Sequence, residues 1–128
     1  MIDLDRAAVI NLTTLGRVTG RPHRIEIWFA HHEATIYMLS GGGDRSDWVR
    51  NIIANQAVTV SVGGSDFVGR GRIVVDPGEQ QLARNTVFAK YTKSYGGDLT
   101  RWRETALPVA VDIDAAPRFD GIAEGGFR

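Results

Sequence analysis

The sequence contains no cysteine, and its 15 Lys+Arg residues are balanced by 15 Asp+Glu residues. Without cysteine, a disulfide framework, a thiolate metal site and a thiol nucleophile are all excluded. Nucleic-acid-binding domains usually carry a clear excess of basic residues, and a formal net charge of +0 therefore argues against nucleic acid as a partner.

Long apolar stretches are missing as well. No run approaches the roughly 18 apolar residues that a membrane-spanning helix needs, so no transmembrane segment is expected. The first ten residues, MIDLDRAAVI, carry acids where a signal peptide has a basic region, which predicts a cytoplasmic protein. The length of 128 residues suits one domain, expected over residues 1–113 and followed by a loose tail over 114–128.

Several catalytic motifs are also absent. The chain has no G-x-S-x-G, no phosphate-loop lysine and no G-x-G-x-x-G, and no pair of carboxylates stands out. The adjacent His31 and His32 would point to opposite faces of a strand, so no metal site is predicted. Hydrolase and metalloenzyme functions are therefore disfavoured.

The hydrophobic pattern predicts a mainly β protein with peripheral helices (α+β). Hairpin signals such as Gly63-Gly64 favour a small antiparallel barrel over a parallel sheet. One helix is expected to begin near Asp44 or Ser46 and end at Asn55, and a second to follow a capping box of Asp76 and Glu79 and run to about Lys90. A short helix is expected within 94–106. Strands are predicted over 7–15, 24–31, 35–39, 57–62, 67–75 and 108–113.

Lysine is scarce, because only Lys90 and Lys93 among the basic residues are not arginine. Arginine suits bidentate contacts with phosphate, and the segment GRVTGRPHR at 16–24 contains three arginines and no acid. A glycine-rich segment, SGGG at 40–43, precedes the predicted helix, whose N-terminus favours anions. With Trp28 on the neighbouring strand, these segments predict a site for a phosphate-bearing aromatic ligand.

Four segments in this order resemble the deazaflavin-dependent nitroreductase family, also called coenzyme F-420-dependent quinone reductases. They are LTTLGRVTGRPHR, the strand ending in IWF, LSGGG, and DWVRNIIANQAVTV, and the resemblance covers residues 10–113. The resemblance implies a split antiparallel β-barrel similar to FMN-binding proteins. It also implies hydride transfer from reduced F-420 to a small-molecule acceptor such as a quinone or a nitroaromatic. Small split barrels commonly pair, so a homodimer is expected.

The resemblance also implies roles for individual residues. The arginine loop would meet the phosphate of the cofactor, the following strand and the glycine-rich segment would approach its ring, and the helix would close over it. Ser40, Tyr91 and Tyr95 would orient the substrate. The residues expected to bind the cofactor are Arg17, Thr19, Gly20, Arg21, His23, Arg24, Ile25, Ile27, Trp28, Leu39, Ser40, Gly41, Arg45, Trp48, Val49, Arg50 and Asn51.

The chain departs from the family pattern at several positions. Val18 and Gly41 stand where many members have lysine, His23 replaces an arginine, and Glu26 and Gln56 replace prolines. Arg21, Arg24 and Arg45 are expected to supply the missing charge. Two alternatives remain open from the sequence: an FMN-dependent relative, and a non-catalytic barrel that binds an apolar ligand such as a fatty acid.

Overall fold

The computed structural model describes residues 3–114, which form one antiparallel seven-stranded sheet with three α-helices and a 3-10 turn at Gly43–Arg45. The predicted loose tail therefore lies outside the described residues, except for Asp114. The strands are β1 (Ile10–Leu15), β2 (Pro22–Ile27), β3 (Ala30–His32), β4 (Thr35–Ser40), β5 (Ala57–Val62), β6 (Ser65–Ile73) and β7 (Leu107–Ile113). The helices are α1 (Asp47–Ala54), α2 (Pro77–Tyr91) and α3 (Thr100–Thr105).

The strand order is β2-β1-β5-β6-β7-β4-β3, so two consecutive strands, β2 and β3, form opposite edges of the sheet. The short connection between them requires the sheet to curl until its edges approach each other. The result is the predicted split β-barrel, with every paired strand antiparallel.

The sequence predicted one continuous strand over 24–31, and this prediction was wrong at Trp28 and Phe29, where the strand is interrupted. The Phe29 amide donates to the Tyr91 hydroxyl at 2.9 Å, and the Phe29 carbonyl lies 3.0 Å from the same oxygen. Because the Tyr91 hydroxyl binds both the backbone N–H and the backbone carbonyl of Phe29, no neighbouring strand is needed to satisfy them. The alternation that indicated a strand is present on both sides of the break. The residues before the break belong to edge strand β2, and those after it belong to the opposite edge strand, β3.

Two hydrophobic clusters lie on opposite faces of β4. Ile36 and Met38 point into the barrel with the α1 residues Val49 and Ile52. Tyr37 and Leu39 belong to a second cluster, together with residues of α2 and α3. Because both faces of β4 are buried, its sequence is a nearly continuous run of apolar residues and not an alternation of apolar and polar ones.

Turns and caps largely follow the predicted chemistry. Both glycines of the Gly63-Gly64 hairpin have positive φ, and Asn55 ends α1 as its C-cap. The Asp76 carboxylate accepts from the Glu79 amide at 2.9 Å, as a capping box requires. The reciprocal contact is not made, because the Glu79 side chain instead accepts hydrogen bonds from Arg72 and Tyr37.

Among the described residues, none of the helices has the length and apolar character needed to cross a membrane.

Candidate functional site

The arginine loop, residues 16–21, is closed by two backbone hydrogen bonds. The Gly16 amide donates to the Arg21 carbonyl at 2.8 Å, and the Gly20 amide donates to the Gly16 carbonyl at 2.8 Å. Gly20 has a φ of +75°, a conformation that glycine adopts without steric cost. The Thr19 hydroxyl accepts from the Arg21 amide at 3.2 Å. The loop is thereby held as a tight turn beside α1.

Asn51 anchors this loop to α1. Its side-chain oxygen accepts from the Arg17 amide at 3.2 Å and from Nη1 of the Arg17 guanidinium at 2.9 Å. Its side-chain nitrogen donates to the Thr14 hydroxyl at 3.1 Å. Asn51 is 1% exposed, so these partners satisfy a polar group that would otherwise be buried at a cost.

A second contact holds the other end of the Arg17 guanidinium. Nη2 lies 3.1 Å from Oδ1 of Asp47, the first residue of α1. Asp47 is itself well exposed, so this ion pair is weak and can exchange for another anion. Arg17 is therefore oriented by one buried amide and one replaceable carboxylate.

A pocket of about 460 Å³ opens beside this loop, and we call it the arginine-loop pocket. It brings together Arg17, Thr19, Arg21, His23 and Asn51 from the predicted cofactor-binding set. The exposed Arg21 side chain makes no hydrogen bond or ion pair with another residue within 3–114. The other residues that line the arginine-loop pocket are Gly16, Val18, Pro22 and Asp47.

Three aromatic side chains cluster around Trp28. Its ring stacks on Tyr91 with centroids 4.3 Å apart and an interplanar angle of 6°. Tyr95 and Trp102 meet it edge to face, at centroid distances of 5.7 and 5.8 Å. Such arrangements are favourable for aromatic quadrupoles and fix the Trp28 ring in one orientation.

The hydroxyl of Tyr91 is held inside the protein. It receives the Phe29 amide hydrogen and lies 2.7 Å from the Ala8 carbonyl and 3.0 Å from the Phe29 carbonyl. Burial raises the pKa of Tyr91, which keeps the hydroxyl protonated and able to donate. The Tyr91 hydroxyl is therefore better placed to hold the barrel closed than to contact the substrate. The substrate contact is the role that the resemblance implied.

A second pocket, of about 630 Å³, lies against this cluster, and we call it the aromatic pocket. It brings together the predicted residues Ile27, Trp28, Leu39 and Tyr95. Val9, Glu26, Asp98, Leu99 and Trp102 complete its lining.

The glycine-rich segment borders the aromatic pocket but is shaped by its own hydrogen bonds. The Ser40 hydroxyl donates to the Gly43 carbonyl at 2.9 Å and lies 3.0 Å from the Ser46 hydroxyl. Ser40 is 2% exposed, so its hydroxyl is better placed to shape the glycine-rich segment than to contact the substrate directly. A Cβ at Gly41 would sit 3.8 Å from the Trp102 ring, an ordinary contact, so the segment lies directly against the pocket wall.

Strand β2 connects the two pockets. Pro22 and His23 line the arginine-loop pocket, and Glu26 and Ile27 line the aromatic pocket. At about 3.3 Å per residue, the strand spans roughly 17 Å from Pro22 to Ile27. A ligand with an anionic tail and a flat ring can therefore lie along this edge strand.

The structure places the other predicted cofactor residues outside both pockets. Val49 is fully buried, and Trp48 and Ile25 pack partly buried against the barrel core. Arg24 and Arg45 are exposed, and Arg50 donates from Nε to the Asp44 carbonyl at 3.3 Å. Their contact with a cofactor stays a prediction, with Val49 better placed for packing than for binding.

Sequence reasoning missed four residues of the aromatic pocket, which are Val9, Asp98, Leu99 and Trp102. Trp102 and Leu99 lie in a segment for which the sequence predicted a loop and a short helix. Their proximity to Trp28 depends on how α3 packs. Arg84 fixes that packing, because Nη1 donates to the carbonyls of Arg103 and Ala106 at the end of α3. A tryptophan in a short amphipathic segment was the one available signal.

The chain folds as a split β-barrel similar to that of FMN-binding-like proteins, and it carries a basic and an aromatic pocket along one edge strand. The chain belongs to the F-420H(2)-dependent quinone reductase family, whose model matches residues 2–114. This membership confirms the predictions of an oxidoreductase and of F-420 as its cofactor.

Solved structures agree on the fold. A structure described as an F-420-H2 dependent reductase is 19% identical with a TM-score of 0.66, covering 87% of this chain and 98% of the other. A conserved hypothetical protein from Mycobacterium tuberculosis is 17% identical with a TM-score of 0.68, covering 94% and 88%. A FAD-binding protein from Mesorhizobium loti is 21% identical with a TM-score of 0.59, covering 87% and 84%. No curated protein matches the chain.

Proposed function

We propose that the protein transfers a hydride from reduced F-420 to a quinone, a nitroaromatic or a similar flat acceptor. The observation that carries this proposal is the pairing of an arginine-lined and an aromatic-lined pocket along one edge strand. The residues that line the two pockets fit F-420, because cationic side chains suit its phosphate and aromatic and aliphatic walls suit its planar ring.

When bound, the deazaflavin supplies hydride chemistry at C5, and the protein needs no metal or acid–base pair of its own. Arg21 and the oriented Arg17 hold the phosphate end at the arginine-loop pocket. Ile27 and Leu39 present apolar surface to the ring. Trp28 and Trp102 position the acceptor and exclude water from it, which protects the transferred hydride from side reactions.

A hydride carries both electrons, so a quinone acceptor would need one further proton, taken from solvent, to become a hydroquinone. No described residue is required to ionise in this scheme, which agrees with the engaged hydroxyls of Ser40 and Tyr91.

Binding and turnover test the proposal separately. Fluorescence titration is expected to give tighter binding of F-420 than of FMN, and F-420H2 is expected to be consumed when menadione is added. The Arg21→Ala variant is expected to bind F-420 about 10–100-fold more weakly, because a hydrogen bond to a charged group contributes about 1.5–3 kcal/mol. Exposed Arg70 lies outside the site, so Arg70→Ala is the matched control. Preferential binding of FMN would overturn the cofactor assignment, and F-420 binding without turnover would overturn the reductase activity.

A further inference from the structure

The aromatic pocket has a charge character that the proposed function does not require. Within residues 3–114, the side chains that line it include the carboxylates of Glu26 and Asp98 and no cation. The arginine-loop pocket at the other end of β2 contains Arg17 and Arg21. The two pockets therefore differ in charge, since two arginines and one carboxylate, Asp47, line the arginine-loop pocket and two carboxylates line the aromatic pocket.

The walls of the aromatic pocket suit a cation for a second reason. Trp28 is held by its stack on Tyr91, and Tyr95 and Trp102 stand at 79° and 88° to it. Trp28, Tyr95 and Trp102 also line the aromatic pocket, so its wall offers aromatic surface in different orientations. A cation near such faces is attracted by their quadrupoles, with tryptophan the strongest of the aromatic residues.

The two carboxylates are fixed to different elements. Glu26 lies on β2 opposite Asn11 of β1 and lines the aromatic pocket together with Trp28, two residues further along the chain. Asp98 precedes α3 and accepts from the Thr100 amide at 2.9 Å. Hydrogen bonds from the Thr100 side chain and then from its amide hold the pKa of the Asp98 carboxyl below its usual range. Both groups are exposed, so their attraction for a ligand is expected to be moderate and to fall with salt.

We propose that the aromatic pocket selects flat aromatic acceptors that carry a positive charge, such as N-alkylated heteroaromatic cations, over neutral or anionic ones. The assignment rests on the proposed function, because it treats this pocket as the acceptor site. It narrows the acceptor class through charge complementarity with Glu26 and Asp98 and through the tryptophan walls. Anionic acceptors are disfavoured by the same carboxylates.

Three probes of nearly equal shape isolate the charge. They are 1-methylquinolinium, 4-methylquinoline, which is neutral at about pH 8, and quinoline-4-carboxylate. Calorimetric titration of the cofactor-free protein at low salt is expected to give roughly 10-fold tighter binding of the cation than of the neutral probe, as one cation–π contact and two screened charges would contribute. The anion is expected to bind most weakly.

The Glu26→Gln/Asp98→Asn variant is expected to bring the cation-to-neutral ratio close to one and leave binding of the neutral probe unchanged. Asparagine keeps an oxygen that can accept from the Thr100 amide, so the turn before α3 is preserved. The control Asp66→Asn/Glu104→Gln removes the same charge outside the pocket and is expected to keep the ratio. Equal affinities in the unmodified protein, or an unchanged ratio in the pocket variant, would overturn the proposal.

These titrations contain no F-420, which separates the two proposals. If F-420 binds and menadione is reduced but the cation shows no preference, the proposed function stands and the charge selection fails. If the cation binds as expected but F-420 does not, the charge preference of the pocket stands, and its role as an acceptor site fails together with the reductase proposal.

Discussion

Arg17 and Asn51 are joined by two hydrogen bonds that converge on a single amide oxygen, one from the Arg17 backbone and one from its guanidinium. The two residues lie 34 positions apart in the chain. Because Asn51 is buried in α1, the position of the arginine loop depends on the position of this helix. Asn51 is thus a positioning residue for the pocket expected to hold the cofactor phosphate.

Replacement of Asn51 by alanine should loosen the loop and destabilise the fold. The change leaves the Thr14 hydroxyl and the Arg17 amide without their partner, and an unsatisfied buried polar group costs about 1–3 kcal/mol. Urea unfolding is expected to show a loss of this size, and F-420 titration a weaker affinity. Asn85→Ala on the exposed side of α2 is the control, with a change expected within about 0.5 kcal/mol. Unchanged stability in Asn51→Ala would contradict the anchoring role.

Arg17→Ala is expected to weaken F-420 binding by about 1–3 kcal/mol, as for a hydrogen bond to a charged group. The ion pair with Asp47 is exposed and contributes little to stability, and the Asn51 oxygen keeps the backbone amide of residue 17 as a partner after the guanidinium is lost. Affinity should therefore fall more than the free energy of unfolding. Fluorescence titration and urea unfolding of the same variant separate the two effects. Affinity equal to that of the unmodified protein would exclude Arg17 from the phosphate site.

Introduction of lysine at Val18 and Gly41, where many family members carry it, tests whether arginines already supply the charge. If Arg21, Arg24 and Arg45 compensate, the double change should tighten F-420 binding by less than about 1 kcal/mol. A marked gain would show that the charge is missing. Val18 is 88% exposed, so a lysine fits there without steric cost.

Tyr91→Phe should destabilise the protein while preserving the stack on Trp28. Loss of the hydroxyl leaves the buried Phe29 amide without an acceptor, at a cost of about 1–3 kcal/mol. Tyr95→Phe is the matched control, because Tyr95 is 47% exposed and its ring packs by its edge. Denaturant midpoints of both variants measure the difference. A catalytic role would instead lower kcat in Tyr91→Phe without loss of stability.

Acid sensitivity should depend on the network of Arg72, Glu79 and Asp112. Hydrogen bonds from Arg72, followed by one from Tyr37, hold the pKa of Glu79 below its usual range, and Arg72 likewise lowers the pKa of Asp112. A lowered folded-state pKa contributes stability above the unfolded value, about 4.3 for glutamate, and this contribution disappears as the pH falls through the folded-state pKa. Glu79→Gln should therefore flatten the decline in melting temperature below about pH 4. Glu104→Gln should leave the decline as it is.

The expected homodimer remains a prediction. The Trp28 and Phe29 segment, which suggested an apolar face to hide, is covered within the chain, since Phe29 is 0% exposed. Val68 and Val75 are 59% and 78% exposed and offer apolar surface instead. Sedimentation at micromolar concentration should give twice the chain mass of 14.0 kDa, and a single-chain mass would contradict the dimer.

Local sequence determined the elements of this fold well. Positive-φ glycines at 63 and 64, the Asp76 cap and the apolar spacing of α1 act over a few residues, so they can be recognised without knowledge of the tertiary structure. The arginine loop could be recognised for the same reason. Its glycines close the turn, and its arginines have no nearby acid in the chain.

Only the tertiary structure determined which of these elements contact one another. The break between β2 and β3 depends on Tyr91, whose hydroxyl binds Phe29 across 62 residues. Trp102 reaches Trp28 because α3 packs against α2, with Arg84 holding its last carbonyls. Asn51 was expected to bind the cofactor, and the structure shows its side chain anchoring Arg17. Long-range contacts such as these depend on the curl of the whole sheet, which no local pattern encodes.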